Sequence, residues 1–179
     1  MITLDIETTM AMDHIWCCGL NISGEKRVSV LRNPMQIVAK CSREQVFVGH
    51  NIVNFDAPKL KELWDLVIPD NKLRDTLLMS RLWNPRLSGG HSLEAWGERL
   101  GYSKIDFHDY DGGLSEEMIT YCKRDVSLTV KLEEYLTTAL KQDGFSDESI
   151  QLEHEVAVIT SQQEINGFKL DIGRANELL

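Results

Sequence analysis

Three short stretches of this chain hold side chains whose types and spacing could do chemistry together. In the first, Asp5 and Glu7 lie two residues apart within an alternating segment, Met1 to Glu7. Residues i and i+2 of a strand share a face, so the two carboxylates stand side by side and repel unless a cation separates them. A polar strand face turned to water is the other reading. In the second stretch, Asn51, Phe55 and Asp56 follow Gly49-His50 at the end of a brief apolar run. An acid at a helix start caps backbone N–H groups, but it also falls at a strand's carboxyl end, where open α/β sheets collect ligands. In the third, Tyr121 and Asp125 are spaced i, i+4 on a long amphipathic helix, in a stripe with Leu128, Leu132, Tyr135 and Ala139. A carboxylate is thereby aimed at the core, where it must be protonated, paired or metal-bound. Lys123 and Arg124 project elsewhere on the helix, which leaves a distant arginine as the alternative partner. Four carboxylates, Asp5, Glu7, Asp56 and Asp125, with no nitrogen or sulfur ligand, describe a hard-oxygen site suited to two ions of Mg²⁺ or Mn²⁺ and not to Zn²⁺. Paired ions of this kind clamp the attacking and leaving oxygens of a phosphate ester.

The elements that must position these groups can be read from periodicity. Met1–Glu7, His14–Ile22 and Arg27–Leu31 form a meander of strands with a turn at Ser23-Gly24-Glu25, and a short helix follows Pro34. Gln45–Gly49 is a further strand. Asp56 opens a helix with Leu60, Leu63, Trp64 and Val67 on one face, and short helices cover Asp75–Trp83 and Ser92–Leu100, the latter closed by Gly101. The polar, aromatic and glycine-bearing run Ile105–Leu114 is a loop and a candidate for substrate contact. Long helices follow from Ser115 to Lys141 and from Asp147 to Asn166, with Trp96 expected in the core and His14, His108 and His154 as ordinary surface or core residues. Asp171 caps a helix that the last residues interrupt, which suggests a piece of a larger protein. Strands first, then strands alternating with and followed by helices, predict an α/β domain with a mixed sheet.

The 179 residues carry 19 basic and 28 acidic side chains, a net charge of −9, and 42% hydrophobic residues. This is the composition of a packed globule and argues against one that grips long duplex through a basic face. Cys17, Cys18, Cys41 and Cys122 form no CxxC pair, so a reduced intracellular protein is expected. No apolar run approaches the roughly 18 residues of a membrane span, so no membrane partner is expected.

Leu4-Asp5-Ile6-Glu7-Thr8, Gly49-His50-Asn51-Ile52-Val53-Asn54-Phe55-Asp56 and Tyr121-Cys122-Lys123-Arg124-Asp125 resemble the three motifs of the DEDD superfamily of exonucleases, whose fold is ribonuclease H-like. Thr120 stands where the histidine type carries its histidine, and Tyr121 stands where the tyrosine type carries its tyrosine. Asp75–Leu82, His91–Gly97 and Glu164–Phe168 followed by Asp171 extend the resemblance to the proofreading domain of family A DNA polymerases, most closely those of short-tailed phages.

The resemblance implies a ribonuclease H-like mixed sheet flanked by helices, with residues 1–145 as a 3′–5′ exonuclease domain and 146–179 as a helical extension leading toward a polymerase domain. It implies that Asp5, Glu7 and Asp125 bind the tighter metal, that Asp5 bridges to a second ion reached by Asp56, and that Tyr121 and Glu7 orient the attacking water. Asn51 and His50 would contact the terminal nucleotide, with Thr8 beside them and Met10 or Met12 wedged between the last bases. The implied substrate is the 3′ end of single-stranded or frayed DNA, shortened by one nucleoside 5′-monophosphate at a time. The implied partner is a polymerase domain or subunit, and the place the host cytoplasm if the chain is phage-encoded. A processing exoribonuclease and a non-catalytic module that binds 3′ ends are the alternatives.

Overall fold

A computed structural model of the chain describes residues 1–41 and 45–178. Five strands, β1 (Ile2–Thr8), β2 (Ile15–Ile22), β3 (Ser29–Leu31), β4 (Phe47–Gly49) and β5 (Leu73–Asp75), form one sheet in the order β3-β2-β1-β4-β5. The first three run antiparallel, whereas β4 and β5 run parallel to β1, so the sheet is mixed, as expected. The carboxyl ends of β1, β4 and β5 consequently open on the same side, and the site is built there.

Among the described residues, seven α-helices lie around the sheet: α1 (Pro34–Lys40), α2 (Asp56–Trp64), α3 (Thr76–Trp83), α4 (Leu93–Arg99), α5 (Glu116–Gln142), α6 (Asp147–Asn166) and α7 (Ile172–Glu177). None of them is long and apolar enough to cross a membrane. Ser115 accepts from the Met118 N–H at the start of α5 and Ser146 from the Ser149 N–H at the start of α6, the capping expected of serine at those positions.

One face of β1, with Ile2, Leu4 and Ile6, packs with Cys18 and Leu20 of β2 and with Ile52, Val53 and Leu60 into the larger apolar cluster. The opposite face carries Thr3, Asp5 and Glu7, and α5 lies across it. Gly19, paired with Asp5 in the β1–β2 ladder, makes that approach possible. A β-carbon there would stand 2.7 Å from Cys122 Sγ and 2.8 Å from Val126 Cγ2, both on α5 and both fully buried. Without a side chain at 19, Tyr121 and Asp125 come down onto the acids of β1. Gly19→Ala is therefore expected to cost about 1–3 kcal/mol of stability through overpacking and to lower any activity of the site. Thermal melts and rate measurements on the same preparation check this, and an unchanged melting temperature would contradict it.

The structure departs from the sequence expectations in three places. Leu73–Asp75 is a strand, too short for a periodic signal, and Asp75 is both its last residue and the N-cap of α3. α2 ends at Trp64, where Asp65 takes a left-handed conformation (φ 51°), so Val67 lies beyond the helix and is exposed. On α5 the buried stripe continues through Leu132, Leu136 and Leu140 instead of Tyr135 and Ala139. The three-four count keeps the helical period of 3.6, but the buried row from Leu128 to Leu140 advances by four, so the buried face turns around the helix axis, and Tyr135 instead reaches Trp83 and Trp96 at the edge of the helical layer. His154, expected as an ordinary surface or core residue, is buried, and its Nε2 accepts from the Asp75 N–H at 2.7 Å.

Candidate active site

Asp5, Glu7, Tyr121 and Asp125 line one cavity of about 340 Å³, together with Thr8, Met10 and His50. The positions are set by backbone devices. β1 carries Asp5 and Glu7 on the face under α5, and its register with β2 breaks between Glu7 and Thr8. Such an irregularity re-aims the side chain that follows it. Cys122, which precedes Asp125 by nearly one helical turn, donates its thiol to the Asp5 carbonyl at 3.8 Å and so docks α5 onto β1.

Asp56 does not line the cavity. Its carboxylate accepts from the Ile6 N–H at 3.1 Å, tying α2 to β1 behind Asp5, and it makes no side-chain cap on its own helix. Asp56 is thus a buried acid held against the strand that bears Asp5 and Glu7. Asn51 also stays out of the lining. It takes a left-handed backbone (φ 69°), which asparagine tolerates, and its N–H is held by Asp75 Oδ1 at 2.9 Å. The same Asp75 carboxylate accepts from Val53 and Leu77, so this residue anchors the turn that delivers Asp56.

His50 contacts the Thr76 hydroxyl through Nδ1 at 2.9 Å, and burial pulls it down to about 4, so it is neutral. Met10 and Met12 are exposed at the cavity rim, not packed in the core. The loop after α4 is latched to this rim: Asp111 accepts from the Met10 N–H at 3.0 Å, and Trp16 Nε1 donates to the Tyr110 carbonyl at 2.8 Å.

Burial dominates the electrostatics. It lifts the Asp5 carboxyl well above the usual carboxylate range, helped by the charges of Glu7, Asp56 and Asp125. Glu7 rises to about 9 for the same reason, with Asp125 and Cys17 adding to it, and Asp56 to about 7. Burial also raises Asp125, although Lys104 opposes the rise. Lys104 is the site residue that sequence reading missed. Its ammonium lies 2.5 Å from Asp125 Oδ2 and 2.8 Å from the Tyr121 hydroxyl, and it comes from a loop with no periodic pattern. Only its proximity to the Ile105–Leu114 run, expected to meet substrate, could have singled it out.

Whether these residues suit divalent cations can be judged from the site itself. Glu7 Oε1 and Asp125 Oδ1 are buried with no hydrogen-bond partner. Ligand atoms of Asp5, Glu7 and Cys122 lie within 4.8 Å of one another. Mutually repelling carboxylates with unpartnered oxygens are what hard cations neutralise, so divalent cations fit, with the Cys122 thiol as a soft donor beside Asp5 and Glu7.

No family model matches the chain. It is 27% identical to the DNA-directed DNA polymerase of Escherichia phage T7, in an alignment covering 99% of this chain and 34% of that protein. With the DNA-directed DNA polymerase of Enterobacteria phage T3 the identity is 29%, over 78% of this chain and 28% of the polymerase. The chain thus spans about a third of the length of the polymerases it matches. Among solved structures, Brucella melitensis NrnC with bound Mg²⁺ superimposes with a TM-score of 0.73 at 18% identity, covering 93% of this chain and 85% of NrnC. Escherichia coli RNase D, an exoribonuclease involved in structured RNA processing, gives a TM-score of 0.64 at 14% identity, over 88% of this chain and 44% of RNase D. At these identities the likeness is one of fold. The chain is similar in sequence to about a third of two phage DNA polymerases, and its mixed sheet flanked by helices has the ribonuclease H-like fold.

Proposed function

We propose that this chain is a metal-dependent 3′–5′ exonuclease that removes nucleoside 5′-monophosphates from single-stranded or frayed DNA ends, in the service of proofreading. The observation that carries the reading is the meeting of Asp5, Glu7, Asp125 and Tyr121 in one cavity, with unpartnered buried oxygens on two of the acids. The kinship with phage DNA polymerases supports DNA as the substrate and a polymerase domain or subunit as the partner, with residues 146–179 leading toward it. The Mg²⁺ or Mn²⁺ pair would be held by Asp5, Glu7 and Asp125, with Asp56 reaching it directly or through water. When bound, these ions supply an activated hydroxide and neutralise charge on the phosphoryl oxygens.

The chain's own groups divide the remaining work. The Tyr121 oxygen accepts from Lys104 Nζ at 2.8 Å and faces the Tyr110 hydroxyl at 3.5 Å. Burial raises its ionisation far above neutrality, with Asp125 adding to the effect. Tyr121 therefore stays protonated, and its O–H is left to donate. It orients a water molecule through that molecule's lone pair and does not act as a base. Glu7 Oε1, unpartnered, is the complementary acceptor. His50, neutral, faces the terminal nucleotide without adding charge. The thioethers of Met10 and Met12 offer an apolar edge on which a terminal base can rest, so a few contacts and stacking replace a basic face. A mismatched end frays more readily and reaches the cavity more often, which selects errors without reading sequence.

Incubating a 5′-labelled single strand with Mn²⁺ tests the reading. A ladder shortening from the 3′ end, abolished by excess EDTA, is expected, and turnover that persists in EDTA would refute it. RNA of matched sequence in parallel separates a deoxyribonuclease from an exoribonuclease. Tyr121→Phe is expected to retain manganese binding while slowing cleavage on the order of 10²-fold, and an unchanged single-turnover rate would remove the phenol from the mechanism.

A further inference from the structure

Among the described residues, Lys104 is the one lysine or arginine in the cavity lining. Its ammonium sits 2.5 Å from Asp125 Oδ2, 2.8 Å from the Tyr121 oxygen and 4.8 Å from the centre of the Tyr121 ring. It is held there by a loop that is itself fixed. Phe107 stacks on Tyr121 with ring centres 5.4 Å apart, and the latches at Met10 and Trp16 hold the rest of the segment against the β1–β2 turn. The side chain is only 23% exposed, so little solvent screens the charge from the acids.

We propose that Lys104 is a positioning residue of the exonuclease site, whose ammonium aims the Tyr121 hydroxyl and completes the charge balance around the scissile phosphate. This rests on the nuclease reading above. Aiming follows from donor counting. Lys104 donates to the phenol oxygen, so the phenol's own proton points away from the ammonium and is left to donate within the cavity that Glu7 and Asp125 also line. Charge balance follows from addition. Four carboxylates and one phosphodiester carry five negative charges, and two divalent ions carry four positive ones, so the single ammonium brings the assembly to neutrality. An ion pair that only fastened a loop would need neither the Tyr121 contact nor a place inside the cavity.

The test compares wild type with Lys104→Met, which keeps the length and removes the charge, and with Lys104→Arg, which keeps the charge and changes the donor geometry. Manganese affinity is read by calorimetry, kcat and KM on a labelled single strand, and melting temperature in EDTA. For Lys104→Met we expect manganese to bind about threefold or more tightly, because a repelling cation is gone, while kcat falls on the order of 10- to 100-fold. For Lys104→Arg we expect manganese affinity close to wild type and partial recovery of kcat. Tighter metal with slower turnover is a split that a structural strut does not produce. A kcat for Lys104→Met within twofold of wild type would overturn the proposal, as would weaker manganese binding. Failure of both variants to fold would overturn it too, by making the ammonium a structural tie. Wild type that binds manganese yet cleaves nothing would refute the nuclease reading instead, and the manganese comparison would still decide the charge balance.

Discussion

Glu7→Gln is expected to lower single-turnover cleavage of a labelled strand by about 10³-fold or more, equivalent to about 4 kcal/mol of transition-state stabilisation, while the protein keeps or gains thermal stability in EDTA. The two halves have one cause. Glu7 is 4% exposed, its Oε1 has no partner, and burial pushes its carboxyl up to about 9. A carboxylate in that position stabilises nothing in the protein alone, and an amide of the same shape relieves the desolvation. Its value lies in what it would hold. Asp125→Asn should behave alike in rate but not in stability, because it removes the partner of Lys104, which among the described residues has no other carboxylate at hydrogen-bond distance. Rates from gel-resolved ladders and melts followed by circular dichroism check both variants. A Glu7→Gln rate within tenfold of wild type would remove this residue from the mechanism.

The second large effect is a pH dependence of stability that divalent ions reverse. The folded protein lifts Glu7 from 4.5 to about 9 and Asp56 from 3.8 to about 7, both chiefly through burial. Between those limits the folded chain keeps protons that the unfolded chain has released, so the unfolded state binds fewer protons and stability falls as pH rises. The contribution is fully present below about pH 4 and is lost through pH 7 to 9. In EDTA the melting temperature is therefore expected to drop between pH 6 and pH 9. Manganese binds the deprotonated acids, so its affinity rises over the same range. At one hundred times its dissociation constant it adds about 2.7 kcal/mol to the folded state. Melts at pH 6, 7.5 and 9, with EDTA or with Mn²⁺, give the comparison. A flat profile in EDTA, or no upward shift with Mn²⁺ at pH 9, would contradict it.

What could be read from the sequence followed the reach of each signal. Asp5 and Glu7 were legible because alternation is a local property, and so was the inward aim of Asp125, which the helical period fixes to within one turn. The end of that stripe was not, since counting at the 3.6 period names Tyr135, whereas the buried row steps by four to Leu136 and Leu140 as the packed face turns around the helix. Asp56 was seen as an acid at a helix start, but its bond to the Ile6 N–H joins residues fifty apart and leaves no trace in local pattern. β5, at three residues, is shorter than any periodicity can show, and with it the anchoring role of Asp75 stayed hidden. Lys104 is the clearest case. A lysine in an irregular loop carries no pattern, and only the folded loop, stacked through Phe107 on Tyr121, reveals that it reaches the acids.

The proposition that Asp5, Glu7 and Asp125 jointly hold divalent cations is tested most directly by anomalous diffraction from crystals soaked in manganese. The expected result is a peak bonded to carboxylate oxygens of Asp5, Glu7 and Asp125 at about 2.0–2.2 Å, with a second peak between Asp5 and Asp56. No anomalous density among these acids at manganese concentrations that support cleavage would contradict the account.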